Sequence, residues 1–278
     1  MGTAATGTER GANLEYAIGL GRALAGALIF AFPLVMTMEM WWIGFYIAPL
    51  RLFVFLLLGL GLLAGLAYYS GFERCTSGLD AVLDGLTAFG VGFLGSLVVL
   101  WLLGILTSEM GWRGTIGMAA VQAIPAGMGA VAARKQFGAG SDSGDEARAG
   151  YPAQLFLMGA GAIFLAFNVA PTEEMILIAF KMNPAQVLGL ALVSILLLHV
   201  LVYTVGFAGQ EKWPEGAGFW SIFFTYTLVG YALSVLLSAY VLWTFGRTDG
   251  TEPALIVMMA VVLGFPAALG AAIARLVV

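Results

Sequence analysis

Six polar side chains of this sequence could together bind a metal cation or a proton. They are three carboxylates, two hydroxyls and one amide in two short segments: Thr37 and Glu39 in the first, and Asn168, Thr172, Glu173 and Glu174 in the second. Oxygen ligands suit hard cations such as Ca²⁺, and Mn²⁺ among the transition ions. Carboxylates that lie close together also repel one another, which favours proton exchange near neutral pH. The predicted chemistry is therefore cation binding, either gated by protons or coupled to them.

The two segments are copies of one another. Residues 31–40 read AFPLVMTMEM and residues 166–175 read AFNVAPTEEM, with five identical positions at an offset of 135. Over residues 31–72 the same register gives 15 identities in 42 positions, where composition alone would give about three or four. Segments 125–134 and 266–275 also match, at six of ten positions with an offset of 141. The pattern predicts a duplicated half-chain with a carboxylate in each copy, Glu39 and Glu174.

The composition is typical of a multi-pass membrane protein. Hydrophobic residues make up 61% of the chain and charged residues 10%, and the mean hydropathy is +0.96, so there is too little charge to cover a soluble surface. The net charge of −4 offers no basic patch for nucleic acid, which is not an expected partner. The single cysteine, Cys75, excludes an intrachain disulfide.

Hydropathy predicts eight transmembrane helices, each close to the 20 or so residues that cross a bilayer. Their approximate limits are 20–43, 48–69, 82–107, 115–134, 153–180, 185–208, 217–245 and 253–276. The predicted organisation is a polar N-terminal segment (1–19), a first four-helix repeat (20–134), a flexible cytoplasmic linker (135–152) and a second four-helix repeat (153–278). The expected fold is an all-α membrane protein of two parallel tandem repeats, because a repeat with an even number of spans begins and ends on the same side.

The basic residues predict the orientation of the chain. The side of the membrane that carries both termini holds eight of them, against four on the other side: Arg10, Arg22, Arg74, Arg134, Lys135, Arg148, Lys212 and Arg275 against Arg51, Arg113, Lys181 and Arg247. Cytoplasmic loops are enriched in such residues, so both termini are expected in the cytoplasm. Glu39 lies 17 residues after Arg22, or about 25 Å along a helix, which places it near the outer side of the membrane.

Prolines near the two acidic segments predict interruptions of the membrane helices. Pro33 gives the first helix a kink site, and the fifth helix is expected to break between Asn168 and Pro171. After that break, Pro171 is expected at the first position of a new helix, with Glu173 and Glu174 in its first turn, where the helix dipole favours acids. Broken helices at membrane depth either line a polar cavity or are buried in protein.

Other interpretations stay open. Glu39 and Glu174 could be structural clamps between helices in a non-transporting scaffold or sensor, because a duplication copies a clamp as well as a site. Adjacent Glu173 and Glu174 resemble the Glu-Glu motif of CAAX-type intramembrane proteases, but Leu177 stands where that family has an Arg, and His199 is the only histidine. An enzyme is therefore not expected.

His199 is expected to be a hydrogen-bonded core residue, and Lys181 is expected to be an interfacial anchor. Small residues such as Gly127, Gly129 and Gly270 are expected at sites of close helix packing.

The motifs FPL at 32–34, TMEMW at 37–41 and APTEEM at 170–175 resemble a bacterial family of integral membrane proteins of unknown function. The resemblance covers most of the chain. It implies a bacterial inner-membrane location and carries over no activity or site. From the residues themselves we predict a cation channel or transporter for Ca²⁺, Mn²⁺ or protons. Its expected partners are the lipid bilayer and the ion, and no resident cofactor is expected beyond a bound divalent cation. Homo-oligomerisation is left open.

Overall fold

A computed structural model describes residues 3–69, 77–107, 109–137, 150–204 and 218–277. Side chains are described for residues 17–31, 33–69, 77–107, 109–133, 150–202 and 218–274. Most of the predicted linker 135–152 lies outside these residues, as do Arg74, Arg148, Lys212 and the last four residues of the predicted span 185–208.

Every regular element in this part of the chain is a helix. In chain order they are α1 (Thr3–Val35), α2 (Met38–Tyr46), α3 (Pro49–Tyr69), α4 (Gly78–Leu102), α5 (Gly111–Phe137), α6 (Tyr151–Val169), α7 (Glu173–Lys181), α8 (Pro184–Thr204), α9 (Phe219–Ile222), a π-helix (Phe223–Leu228), α10 (Val229–Thr244) and α11 (Pro253–Val277). The predicted all-α class is confirmed.

Seven helical segments in the described residues are long and apolar enough to cross a bilayer. They are Pro49–Tyr69, Gly78–Leu102, Gly111–Ala133, Tyr151–Val169, Pro184–Val202, Phe219–Thr244 and Pro253–Ala274. The first predicted span, 20–43, falls on α1 and α2, where the structure has a shorter apolar stretch, Ala17–Ala31. Seven spans therefore agree in position with the prediction, and an eighth stays a prediction.

Helix α1 begins 17 residues before the predicted start of the first span. The residues added at its start include Ala12, Leu14 and Glu15, which are strong helix formers. Adding residues to an existing helix avoids the cost of a new nucleus, so residues 3–19 of the predicted polar segment extend the helix that holds the apolar stretch Ala17–Ala31.

The chain divides into two compact units. Unit 1 comprises Met1–Met36 and Leu56–Ser143, and unit 2 comprises Thr37–Phe55 and Gly144–Val278. In unit 1, α1, α4 and α5 pack on one another; in unit 2, α11 packs on α6, α8 and α10, and α7 also contacts it. These units are groups of residues that contact one another, whereas the predicted repeats are segments of similar sequence. The repeat boundaries at 134 and 153 therefore stay a prediction.

The helix bounds repeat with the spacing found in the sequence. Helices α7 and α8 begin and end 135 residues after α2 and α3, since 173 − 38, 181 − 46, 184 − 49 and 204 − 69 all give 135. In both places a nine-residue helix carries the acidic residues in its first turn, and a membrane-length helix that begins with proline follows it.

A glycine pair brings two helices into contact in each unit. A Cβ on Gly26 of α1 would collide with the Gly129 carbonyl and the Ala133 side chain of α5. In unit 2, a Cβ on Gly161 of α6 would collide with the Gly270 carbonyl and the Ala274 side chain of α11. Because glycine has no side chain, the two backbones can approach closely at each pair, which is how small residues act in membrane helix packing. The predicted close packing at Gly129 and Gly270 is confirmed.

Candidate functional site

The first acidic segment lies at a break between α1 and α2. Helix α1 ends at Val35, two residues after Pro33, and α2 begins at Met38 with Thr37 in extended conformation at its N-cap. The Met40 N–H donates to the Thr37 carbonyl at 3.1 Å. Glu39 is therefore half-buried in the first turn of α2, where the helix dipole favours its negative charge. In an unbroken helix reaching Trp42 the same carboxylate would meet the unfavourable end of the dipole.

The second acidic segment lies at a break between α6 and α7, as predicted. Helix α6 ends at Val169 and α7 begins at Glu173, with Thr172 as the extended N-cap residue. The Thr172 hydroxyl donates to the Val169 carbonyl at 2.8 Å, and the Asn168 amide donates to the Phe164 carbonyl at 2.8 Å. The Thr172 hydroxyl thus adds a second bond to the Val169 carbonyl, which also accepts the Thr172 N–H at 3.1 Å, and the Asn168 amide adds one to a carbonyl near the end of α6.

Helix α7 carries charges that match its dipole. Glu173 and Glu174 lie in its first turn and Lys181 in its last turn, which is the favoured arrangement. All three side chains are exposed. The expectation that Pro171 occupies the first helical position is wrong: Pro171 lies in the turn between the two helices and precedes the N-cap residue Thr172.

Arg247 forms a hydrogen bond to the second break. It lies in the turn between α10 and α11, and its guanidinium donates to the Pro171 carbonyl. A positive charge is thereby placed at the carbonyl end of α6, where the helix dipole is negative. The shielded Arg247 Nε has no hydrogen-bond partner among the described residues. Sequence reasoning counted Arg247 only as an outer basic residue and missed this contact, because it joins positions 76 residues apart.

The same turn holds the start of α3 through a second contact. Arg51 donates to both carboxylate oxygens of Asp249, at 2.7 and 2.5 Å, and its guanidinium lies 5.3 Å from the ring centre of Trp243. Bidentate geometry makes such an ion pair stronger than a single contact. The hydrogen bond from Arg51 lowers the pKa of the Asp249 carboxyl below its usual value.

A cluster of three phenylalanines is buried in unit 2. The ring centres of Phe55, Phe167 and Phe245 lie 5.6, 6.2 and 6.1 Å apart, and at most 2% of each side chain is exposed. Phe167 directly precedes Asn168, and Phe245 lies two residues before Arg247. This phenylalanine cluster therefore joins the end of α6 to the turn after α10 that carries Arg247.

The predicted ligands are only partly brought together. Thr172, Asn168, Glu173 and Glu174 lie at one break and Thr37 and Glu39 at the other. Among the described residues, no group of three or more His, Cys, Asp or Glu side chains could hold a metal ion. Neither Glu39 nor Glu174 forms a hydrogen bond or ion pair with another described residue, so the predicted clamp contact is not seen there.

His199 is buried, as expected. Its Nδ1 lies 2.8 Å from the Thr227 hydroxyl, and Phe219 and Phe223 pack edge-on against the ring at 4.4 and 5.3 Å. Thr227 belongs to the π-helix, a rare element that is frequent at functional sites. Sequence reasoning placed no site here, and a π-helix has no sequence signal of its own.

Every regular element in the described residues is a helix, and seven helical segments are apolar and long enough to span a membrane. These features define an integral membrane protein. The chain belongs to the family described as "Putative integral membrane protein (DUF2391)", whose model matches residues 19–278. The resemblance predicted from the motifs is confirmed. Neither a curated protein nor a solved structure matches the chain.

Proposed function

We propose that this integral membrane protein is a cation channel or transporter that takes up its ion at the two helix breaks. The observation that carries the proposal is the repetition of one local arrangement. In both copies a long helix stops, and a nine-residue helix restarts with a carboxylate in its first turn, Glu39 in α2 and Glu174 in α7. Interrupted helices that bind ions are a recurring feature of membrane transporters.

The electrostatics of each break favour a weak and exchangeable site. A carboxylate in the first turn of a helix is stabilised by about 0.3–1 kcal/mol, and a cation must compete with that stabilisation. The Thr172 hydroxyl and the Asn168 amide donate to backbone carbonyls, so their own oxygens keep lone pairs that can attract the ion beside the carboxylates. Conduction needs binding that is strong enough for entry and weak enough for release.

The proposal includes the arrangement of the halves. We infer two tandem repeats from the common offset of the helix bounds and from the matching glycine contacts of Gly26 with Gly129 and of Gly161 with Gly270. The excess of basic residues on the side of the termini supports cytoplasmic termini in a bacterial inner membrane. The breaks then lie toward the outer side, where the ion enters. The ion, Ca²⁺, Mn²⁺ or a proton, is cargo rather than a resident cofactor.

Flux through proteoliposomes tests the proposal. The full chain is reconstituted, and uptake of Ca²⁺, Mn²⁺ and Mg²⁺ and the internal pH are followed with indicator dyes. We expect flux above empty vesicles, at least a tenfold loss in the double variant Glu39→Gln/Glu174→Gln, and no loss in Glu252→Gln. Glu252 is the control because its carboxylate is exposed, like that of Glu174, but it belongs to neither acidic segment.

Two results would contradict the proposal: a wild-type protein that moves no more of these ions than empty vesicles, or a double variant with unchanged flux. Melting temperatures separate the transport function from a scaffold. Repelling charges at an ion site often cost stability, so the double variant should melt no lower than wild type, whereas the loss of a clamp would lower its melting temperature.

A further inference from the structure

The turns that end α4 and α10 have the same backbone structure. Each contains a glycine with positive φ, Gly104 at 70° and Gly246 at 74°. The N–H of the next residue donates to the carbonyl five positions earlier, at 3.0 Å in unit 1 and 2.9 Å in unit 2. That next residue is Ile105 in unit 1 and Arg247 in unit 2. Ile105 and Arg247 therefore occupy equivalent positions in the two units.

The charge at this position differs between the two helix breaks. In unit 2 the Arg247 guanidinium donates to the Pro171 carbonyl. At the offset of 135 that relates the acidic segments, the residue corresponding to Pro171 is Met36. Ile105 has no side-chain donor, and no hydrogen bond to the Met36 carbonyl is formed within the described residues. The end of α1 therefore lacks the positive charge that the end of α6 receives.

Unit 1 has instead a buried amide, Gln122 of α5. The residue is 0% exposed, and neither its amide nitrogen nor its amide oxygen has a hydrogen-bond partner among the described residues. At the offset of 141 the corresponding residue of α11 is Leu263, which is also 0% exposed. Leucine therefore meets the packing needs of this position. A buried polar group in a membrane helix is costly and marks a functional site.

The amide lies on the face of α5 that packs on α1. A Cβ on Gly26 of α1 would collide with Gly129 and Ala133 of that face, and Gln122 lies seven residues before Gly129, which is two helical turns. The two helices are antiparallel, because Gly26 meets Ala133 whereas Phe30, one turn later in α1, meets Gly129. Two further turns, about 10 Å, lead along α1 to its last residues. The register therefore places Gln122 opposite the end of α1.

The oxygens at this place suit a metal cation. Ca²⁺ accepts about six to eight oxygen ligands in flexible geometry, and backbone and Gln carbonyls are among them, whereas Mg²⁺ requires a near-ideal octahedron and loses its water reluctantly. Neither type of carbonyl oxygen titrates near neutral pH, so this pair favours a metal ion over a proton. A guanidinium on a carbonyl supplies the same positive charge from the protein itself.

We propose that the end of α1 binds Ca²⁺ through the Gln122 side-chain oxygen and the Met36 carbonyl, and that Arg247 takes the place of this ion in unit 2. The inference rests on the proposed function, in which the carboxylate of each break attracts the ion, and it makes the two breaks unequal. The first holds the ion more tightly, because the positive charge of Arg247 opposes a second cation at the other. Met36 is 51% exposed, so an ion can reach its carbonyl.

Calcium binding to the purified full chain in nanodiscs tests the site. Equilibrium binding of radioactive Ca²⁺ gives the half-saturating concentration, and Gln122→Leu should raise it by about tenfold or more. Without Ca²⁺ the same variant should melt no lower than wild type, because an unpaired amide is replaced by the leucine that unit 2 has. A merely structural amide would lower that melting temperature.

A transferred charge makes the second test. Ile105→Arg gives unit 1 the guanidinium of unit 2 and should weaken Ca²⁺ binding by about tenfold or more, whereas Ile105→Met, the uncharged control, should bind like wild type. Unchanged binding in Gln122→Leu, or equal binding in Ile105→Arg and Ile105→Met, would overturn the inference, as would a wild type without saturable Ca²⁺ binding. Flux of another ion without Ca²⁺ binding overturns this site alone. The expected binding pattern without any flux overturns only the transport function.

Discussion

Gly161→Ala should destabilise the protein by separating α6 from α11, the most extensive helix pair of unit 2. The new Cβ would collide with the Gly270 carbonyl oxygen and lie 2.9 Å from its carbon, where ordinary contact begins at 3.4 Å. The obstacle is backbone, so a side-chain rotation cannot relieve it. The helices must therefore move apart by at least half an ångström at this point.

The cost follows from the packing that is lost. A gap of about 0.5 Å forfeits roughly a quarter of the dispersion energy of each contact along the pair, and overpacked sites typically cost about 1–3 kcal/mol. We take about 2 kcal/mol for Gly161→Ala, within that range. At about 3 °C per kcal/mol for a chain of this size, the melting temperature should fall by about 6 °C.

Thermal unfolding in detergent or nanodiscs measures this difference. Gly189→Ala in α8 is the matched control, because no atom lies within 4 Å of the position its Cβ would take, and alanine is the better helix former. The control should melt at or above the wild-type temperature. If Gly161→Ala melted as high as Gly189→Ala, the close crossing of α6 and α11 would be refuted.

Two further predictions concern the turn between α10 and α11. Because the hydrogen bond from Arg51 lowers the Asp249 pKa, the ion pair stabilises the protein above the ordinary aspartate value, and that contribution is lost as the pH falls through the lowered value. Thermal melts from pH 7 to pH 3 should therefore show wild type and Asp249→Asn converging at the acid end; a constant difference would contradict the pairing. Arg247→Gln removes a charged donor from the Pro171 carbonyl and should cost about 1.5–3 kcal/mol. Arg247→Lys should recover part of this in the same melting assay, and a Gln variant as stable as wild type would exclude the contact.

Sequence reasoning reached the class of fold through hydropathy alone. Seven predicted spans agree in position with apolar helices, because a chain in lipid has to satisfy its backbone hydrogen bonds inside each segment. The break after α6 was also predictable, since Pro171 cannot continue a helix and the acids after it favour a helix start. The start of α1 was not predictable from hydropathy, because the extension of a helix past its apolar stretch depends on the helix propensity of the residues there.

The candidate site was predictable only where it is local. The placement of Glu173 and Glu174 in a first helical turn follows from residues next to them in the chain. The contact of Arg247 with Pro171, the ion pair of Arg51 with Asp249 and the phenylalanine cluster join distant segments. No periodicity or motif in a single sequence records such pairs.

The sequence by itself determined that this protein is a helical integral membrane protein with several apolar helices, that its acidic segment recurs at an offset of 135, and where the helices are interrupted. These properties follow from apolar length, identity at a fixed offset and the missing N–H of proline, all of which are written along the chain. Only the tertiary structure decided which side chains meet across helices. It put Arg247 at the end of α6, buried Thr227, Tyr231, Ser234 and Ser238, and packed Phe55, Phe167 and Phe245 together. The reason is physical: a membrane helix is apolar on every side that faces lipid or protein, so its sequence does not reveal which face turns inward until its neighbours are in place.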